Sequence, residues 1–229
     1  MEISLLHPSR GRPDKSRRCT EMWLNRAGVE CELIVSVDED DRFLNQYRAR
    51  YGSVVVNRNR SAVDAVNRAA EVATGNIMIV LSDDFECPKG WGIKVLNAVM
   101  GREDYVLKVH DGTQKYIVTM PILDRKYYNR FGYVYCPDYK HMFVDTHFTH
   151  VADCLKRIVW RNDIVFHHAH YSVARQRPDE INKRADATWN EGKRVYLNHV
   201  HNGFGMGLNI WDIDRIGRDH IKWLKANLK

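Results

Sequence analysis

The sequence predicts an α/β fold with a largely parallel sheet flanked by helices. Two observations carry this. Strand-like and helix-like segments alternate along the first half of the 229-residue chain, the pattern of parallel strands joined by helical crossovers. Ile77-Met78-Ile79-Val80-Leu81 is apolar at every position, as a central strand covered on both faces must be. No repeat, low-complexity stretch or linker interrupts the chain, so a single domain over residues 1–229 is expected.

Each element has a local reason. Residues 3–7 read as the first strand, ended by Pro8-Ser9-Arg10-Gly11-Arg12-Pro13. Asp14 is the expected N-cap of the first helix, where Cys19, Met22, Trp23 and Ala27 recur at helical spacing. Gly28 supplies the left-handed residue past its end. Residues 32–37 form the second strand, running into Asp38-Glu39-Asp40-Asp41, and residues 53–56 a short third. Ser61-Ala62-Val63-Asp64 is a capping box before a helix with Ala62, Val66, Ala69, Ala70 and Ala73 on one face, closed by Gly75. The apolar strand 77–81 stops abruptly at Ser82-Asp83-Asp84.

The second half is less regular. A helix follows Pro88, with Trp91, Val95, Leu96 and Val99 inward. Strands are expected at residues 105–109, 116–122, 158–160 and 164–167. Helices are expected at 124–131, ended by Gly132, and at 146–155, 178–191 and 218–228.

Composition narrows the function. The five cysteines (Cys19, Cys31, Cys87, Cys136 and Cys154) are odd in number, dispersed and without a CxxC pair. They form neither a disulfide framework nor a zinc finger, and suit a reducing compartment. The N-terminus lacks the basic and apolar regions of a signal peptide, and no apolar run approaches the roughly 20 residues that span a bilayer, so a cytoplasmic location is expected. A net charge of +6 suits a polyanionic partner or a phosphorylated small molecule. The absence of GxGxxG after the first strand and of GxxxxGK[ST] anywhere argues against a dinucleotide-dependent dehydrogenase and a P-loop enzyme.

In an open parallel sheet, ligands bind beyond the carboxyl ends of the strands. Ser9, Arg10 and Arg12 follow the first strand, Asp38 the second, and Asp83-Asp84 the central one. Arginines can hold phosphate oxygens through forked hydrogen bonds, a carboxylate can accept from a base or ribose, and adjacent carboxylates can hold a divalent cation. Together they read as a nucleotide-diphosphate site with a metal. The competing reading of each acidic cluster is a solvated turn, which is weaker for Asp83-Asp84 because the preceding strand is buried.

Leu6-His7-Pro8-Ser9-Arg10-Gly11-Arg12-Pro13, Val37-Asp38, Ala65-Val66-Asn67-Arg68-Ala69-Ala70 and Gly75-Asn76-Ile77 running into Leu81-Ser82-Asp83-Asp84 together resemble the nucleotide-binding half of GT-A fold, family 2-type glycosyltransferases. The resemblance implies a GT-A (Rossmann-like) nucleotide-diphospho-sugar transferase fold with a mixed central sheet flanked by helices. It implies a nucleotide-sugar-binding half at residues 1–92 and an acceptor-binding half at 93–229. Asp38 would recognise the nucleobase and Asp83 the ribose. Asp84 would ligate Mn²⁺ or Mg²⁺ at the diphosphate of a UDP-sugar, and Arg10, Arg12 and Arg60 would contact base or phosphate. Ser82 stands where the family's Asp-x-Asp element has its first acid.

The resemblance extends to Met142-Phe143-Val144-Asp145-Thr146, which matches the element carrying the catalytic base of inverting members. Asp145 is therefore the candidate base, with a plain helix N-cap as its alternative; Asp153 and Asp111 are secondary candidates. In Phe166-His167-His168-Ala169-His170, His168 and then His170 would complete the metal shell, lying on one side of an extended segment with His167 opposite.

Arg175, Arg177, Lys183, Arg184, Lys193 and Arg194, interleaved with Tyr171, Trp189 and Tyr196, suit phosphate tracking and base stacking. An acceptor of this kind is a hydroxymethylated base in DNA, as in phage genome-modifying glycosyltransferases. The alternatives are transfer to surface polysaccharide, glycolipid or protein, and a non-catalytic nucleic-acid binding module; a solvated helix face would also explain the charges.

Overall fold

A computed structural model describes residues 1–169 and 179–228. The first half alternates β1 (Ile3–Ser9), α1 (Pro13–Arg26), β2 (Cys31–Asp38), α2 (Leu44–Tyr51), β3 (Val55–Asn57), α3 (Ala62–Val72) and β4 (Ile77–Val80). The chain continues through β5 (Phe85–Glu86), α4 (Trp91–Val99), β6 (Val106–His110), β7 (Ile122–Asp124), α5 (Arg125–Phe131), α6 (Val144–Cys154), β8 (Ile158–Val165) and β9 (His167–His168). Three helices follow: α7 (Glu180–Asp186), α8 (Trp189–His201) and α9 (Arg218–Asn227).

The main sheet has the order β3-β2-β1-β4-β7-β6-β8. β1 runs parallel to both neighbours, with Leu5 opposite Leu33 on one side and Ile79 on the other. β7 is antiparallel to β4 and to β6, which makes the sheet mixed. β5 and β9 form a separate antiparallel pair. The all-apolar run explains itself in this frame. Ile77, Ile79 and Leu81 enter one core with Trp23, Trp91 and Val95, while Met78 and Val80 enter the other with Val63, Val66, Ala69 and Phe148. Alternate residues serve opposite faces, and here both faces are covered.

In the core Phe166 packs edge to face on Trp23 and Trp91, and the two indoles are tilted against each other; the Trp91 and Phe166 ring centroids lie 5.0 and 5.1 Å from that of Trp23. Each indole N–H is satisfied, Trp23 by the Phe85 carbonyl at 3.0 Å and Trp91 by the Trp23 carbonyl at 2.8 Å. Buried aromatic pairs of this geometry need such partners for their polar edge.

Several expected boundaries are corrected. Arg12, not Asp14, is the N-cap of α1, because Pro13 takes the first helical position, where a missing N–H costs nothing; Asp14 lies in the first turn and pairs with Arg50 at 2.5 Å. Ser61 caps α3 by accepting from Asp64 N at 3.0 Å, but the Asp64 carboxylate reaches Arg60 N and not Ser61 N. That helix ends at Val72; Gly75 is needed instead because a Cβ there would lie 2.6 Å from Ser4 Oγ. The expected strand 116–122 shrinks to β7. Val118 N donates to Thr149 Oγ1 of α6 at 2.9 Å, so its backbone partner is a helix side chain and not a strand. The short strands expected at 158–160 and 164–167 run together as β8, which ends at Val165, while His167 opens β9; β8 is irregular where His110 pairs with Val165.

The expected helix 178–191 breaks into α7 and α8. Thr188 turns back to accept from Met142 N at 3.1 Å through Oγ1, and Gly192 lets α8 pass against the Met142 carbonyl. A Cβ at Gly192 would lie 2.2 Å from that oxygen. We therefore expect Gly192→Ala to destabilise the protein by about 1–3 kcal/mol, several degrees in Tm, measured by thermal and urea unfolding. An unchanged Tm would mean the two segments separate freely.

Candidate active site

The carboxyl ends of β1, β2 and β4 open into a cavity of about 820 Å³, within the size range of small-molecule sites. Ser9, Arg10, Arg12, Asp38, Arg60, Asp83, Asp84, Asp145 and His168 all line it. These nine candidates, drawn from both halves of the sequence, thus face one space. His170, together with Tyr171, Arg175 and Arg177, lies outside the described residues.

Each carboxylate at these strand ends meets a cation or a hydrogen-bond donor. Arg10 pairs with Asp38, and with Asp40 at 2.6 Å. Asp38 also accepts from Asn59 Nδ2 at 2.7 Å. Arg12 reaches Asp83 at 3.1 Å and Asp179, the N-cap of α7, at 2.6 Å. Lys15 reaches Asp83 at 3.2 Å. Asp84 accepts from Ser82 Oγ at 2.5 Å and lies 3.2 Å from His168 Nε2. Burial opposes ionisation of Asp84, but the hydrogen bond and charge of His168, the Ser82 hydroxyl and the Lys15 charge hold its carboxyl well below the usual range. Arg60 is exposed on the rim, and among the described residues its guanidinium has no ion-pair partner.

His168 is placed by three contacts. Its backbone N–H donates to the Asp111 carbonyl at 2.9 Å, its ring stacks on Phe85 at 4.2 Å, and Ala169 N donates to the Asp84 carbonyl at 2.8 Å. The β5–β9 pair thus brings the imidazole to the end of β4, while His167 is exposed. The Asp84 oxygen and His168 nitrogen form a mixed donor pair that suits Mn²⁺, and the carboxylate also suits Mg²⁺.

Asp145 lies in the first turn of α6, but it is not the N-cap. That position is Phe143, at φ +69°. Asp145 Oδ1 accepts from Thr146 N at 2.7 Å. Burial raises its carboxyl above the ordinary range, against the hydrogen bonds of Thr146 and the charge of His141, a shift that strengthens a carboxylate as a base. The secondary candidates are engaged elsewhere. Asp111 accepts from Thr113 N, Gln114 N and Thr119 Oγ1, and Asp153 from the Tyr116 hydroxyl.

Residues 4–180 match the sequence model of Glycosyl transferase family 2. The chain belongs to this family. No curated protein matches by sequence. Among solved structures, residues 1–349 of S. aureus TarS in complex with UDP-GlcNAc align at TM-score 0.62 and 16% identity, covering 100% of this chain and 71% of that one. The chain spans 43% of the longer TarS structure. Glucosyl-3-phosphoglycerate synthase from Mycobacterium tuberculosis, in complex with Mn²⁺, UDP-glucose and phosphoglyceric acid, aligns at TM-score 0.54 and 15% identity, covering 82% and 78%. The mannosyltransferase PcManGT from Pyrobaculum calidifontis, in complex with GDP-Man and Mn²⁺, aligns at 0.55 and 12%, covering 98% and 79%. The fold is GT-A, and family 2 is a family of glycosyltransferases.

In this family 2 chain several positioning groups were not legible beforehand. Asp41 accepts from Gly11 N at 2.7 Å and Phe43 N at 2.8 Å, and so pins the loop that carries Arg10 and Arg12. The Tyr47 hydroxyl meets Ser9 Oγ at 2.7 Å and accepts from Arg12 N at 3.0 Å. Asp179 had a usable signal, since Pro178-Asp179 before an apolar-periodic segment is a helix start. Tyr196, expected among stacking aromatics, is fully buried, with its hydroxyl on His150 Nδ1 at 2.7 Å. It is a core residue because its ring fills the space between α6 and α9. Trp189 remains about half exposed at the rim. Among the described residues no helix is long and apolar enough to cross a membrane.

Beneath the site, His7 Nδ1 donates to the Leu81 carbonyl at 3.0 Å and Nε2 accepts from Ser16 Oγ at 2.9 Å. Burial lowers its pKa, against the smaller pull of the Leu81 carbonyl and the Asp83 charge. His150 is lowered further, by burial and then by the charges of His220 and His147. An unfolded chain takes up these protons below about pH 6.5 while the folded chain does not, so this stability is complete above that pH and is lost as pH falls. We expect the unfolding free energy to drop by up to about 1.4 kcal/mol per pH unit for each such ring below pH 6. His7→Asn should be less stable at pH 7 and show a shallower slope in urea titrations between pH 7 and 5. An unaltered slope would remove His7 from the account.

Proposed function

We propose that this chain transfers a sugar from a nucleotide-diphosphate donor, a UDP-sugar, to an acceptor hydroxyl with inversion at the anomeric carbon. One observation carries the reading: carboxylates from the ends of β2 and β4, each beside a cation or hydrogen-bond donor, face Asp145 across a single cavity. Residues 1–92 form the donor half and 93–229 the acceptor half. Asp38 receives the base and Asp83 the ribose, while Arg10, Arg12 and Arg60, with Ser9 beside them, line the path of the diphosphate.

Asp84 and His168 would hold Mn²⁺ or Mg²⁺, with His170 as a further ligand; bound there, the ion supplies positive charge against the negative charge developing on the leaving diphosphate. On the opposite wall Asp145 takes the acceptor's proton. The acceptor oxygen then bonds to the anomeric carbon as the bond from that carbon to the diphosphate oxygen breaks.

For the acceptor, the reading that the rim supports is a hydroxymethylated base in DNA. Arg184, Lys140 and the exposed Trp189 border the cavity, a cationic and aromatic setting for a strand with one nucleotide turned out. The solvent-facing charges also fit the hydroxyls of polysaccharide, glycolipid or protein, and the acceptor assay separates these.

A donor-panel melt with and without Mn²⁺ tests the first reading. A UDP-sugar at about 100 times its Kd should add about 2.7 kcal/mol of apparent stability, with Mn²⁺ enhancing the shift in wild type but not in Asp84→Ala. Asp145→Asn should keep that shift and lose about 10²–10⁴-fold in transfer rate. A panel in which no nucleotide sugar shifts the melt, while DNA does, would favour a binding module. Mass spectrometry of hydroxymethylated DNA incubated with the responding donor should show hexose or pentose addition; unmodified DNA beside a labelled glycan or protein would replace the acceptor reading and leave the donor reading standing.

A further inference from the structure

Outside the donor cavity, three soft ligands from three segments converge. Cys136 follows α5, His147 lies on α6 and His199 on α8. One ligand atom from each, the cysteine sulfur and a nitrogen of each imidazole, lies within 4.8 Å of the other two. The Cys136 sulfur is 3.7 Å from His199 Nε2, and that nitrogen is 2.8 Å from Asp138 Oδ2. Cys136 and His147 are buried, and His199 is partly exposed. The Tyr139 hydroxyl meets Nδ1 of His147 at 3.0 Å, the kind of outer-shell contact that orients a ligating ring.

We propose that Cys136, His147 and His199, with Asp138 as the fourth ligand, form a structural Zn²⁺ site. The donor set decides the metal. One thiolate and two imidazoles are borderline-to-soft ligands that favour Zn²⁺ over the hard cations suited to Asp84. The spacing fits as well. A tetrahedral zinc site with bonds of about 2.0–2.3 Å holds its ligand atoms roughly 3.3–3.8 Å apart, and the Cys136–His199 contact already has that length. Closure requires only the inward movement of His147 and a turn of the exposed Asp138 carboxylate. On binding, the Cys136 thiol gives its proton to solvent as the sulfur–metal bond forms.

Sequence spacing hides such a site, because its ligands stand 11 and 52 residues apart along the chain and meet only when α8 packs on α6. Its place has a consequence. His147 is two residues beyond Asp145, so the metal would tie the start of α6 to α8 and to the segment after α5. It would brace the acceptor wall of the cavity without touching it.

The experiment uses the full chain carrying Asp84→Ala, so that the donor-side carboxylate does not compete. After removal of metal with a chelator, one equivalent of Co²⁺ should give intense visible bands of tetrahedral cobalt and a near-ultraviolet thiolate-to-cobalt band, both erased by one equivalent of Zn²⁺. Cys136→Ala should abolish the near-ultraviolet band. His199→Ala, at a partly exposed position, and Asp138→Asn should weaken Co²⁺ binding at least tenfold while keeping native circular dichroism, which covers the case in which the cysteine variant fails to fold. A folded parent protein that binds Co²⁺ without a thiolate band, or a band that survives Cys136→Ala, overturns the site. So does unchanged affinity in both His199→Ala and Asp138→Asn.

Discussion

Negative charge gathered at one edge of a sheet is the constraint on which the rest of this molecule depends. Asp38 emerges at the end of β2 and Asp83 and Asp84 beyond β4, with β1 between them, and like charges lining one cavity repel. The fold answers with a partner for each: Arg10 for Asp38, Arg12 and Lys15 for Asp83, and the His168 imidazole for Asp84. These partners come from the loop after β1, from α1 and from β9. The cost of assembling the carboxylates therefore dictates how those three parts of the chain are placed.

Rigidity beneath the edge follows from buried polar contacts, not from the cavity walls. His7 links the end of β1 to the Leu81 carbonyl and, through Ser16, to the Tyr51 hydroxyl at 2.7 Å. Across the sheet, Lys108 is fully buried, its ammonium donating to the Val109 and Gln114 carbonyls at 2.6 and 3.0 Å, and burial lowers its pKa to about 8. With Asp111 accepting from four further donors, it ties residues 111–119 to the end of β6. A buried polar group without partners is costly, so these residues hold their loops to one arrangement.

The fold, and the strand-end residues that line the cavity, were legible because their determinants are local. An apolar run ending in Ser82-Asp83-Asp84 identifies a buried strand and the acids at its tip, and Ser61 announces the helix it caps. The segment 116–122 misled because Tyr116, Ile117 and Val118 have strand-like character, yet Val118 finds its backbone partner in Thr149, 31 residues away. The break between α7 and α8 was hidden for the same reason: Thr188 and Gly192 answer to Met142, some 50 residues earlier in the chain. Asp41 and Tyr47 act through backbone N–H groups of another loop, a role that no residue type or spacing declares. The Cys136, His147 and His199 cluster lies at the far end of this scale, since it exists only in the packed state.

Phe143 carries the last point. Its left-handed backbone, uncommon and strained for a side chain of this size, starts the helix that presents Asp145. Its ring is held by Trp189, Tyr196 and Trp223, with centroids 4.9, 5.8 and 5.9 Å away. All three of those residues lie beyond residue 180, where the match to the family ends. The stretch recognisable by ancestry and the stretch that must be kept to hold its turn are therefore different lengths of chain. A fragment cut where the likeness stops would retain Asp38, Asp83, Asp84 and Asp145 and lose the clamp that gives the last of them its direction.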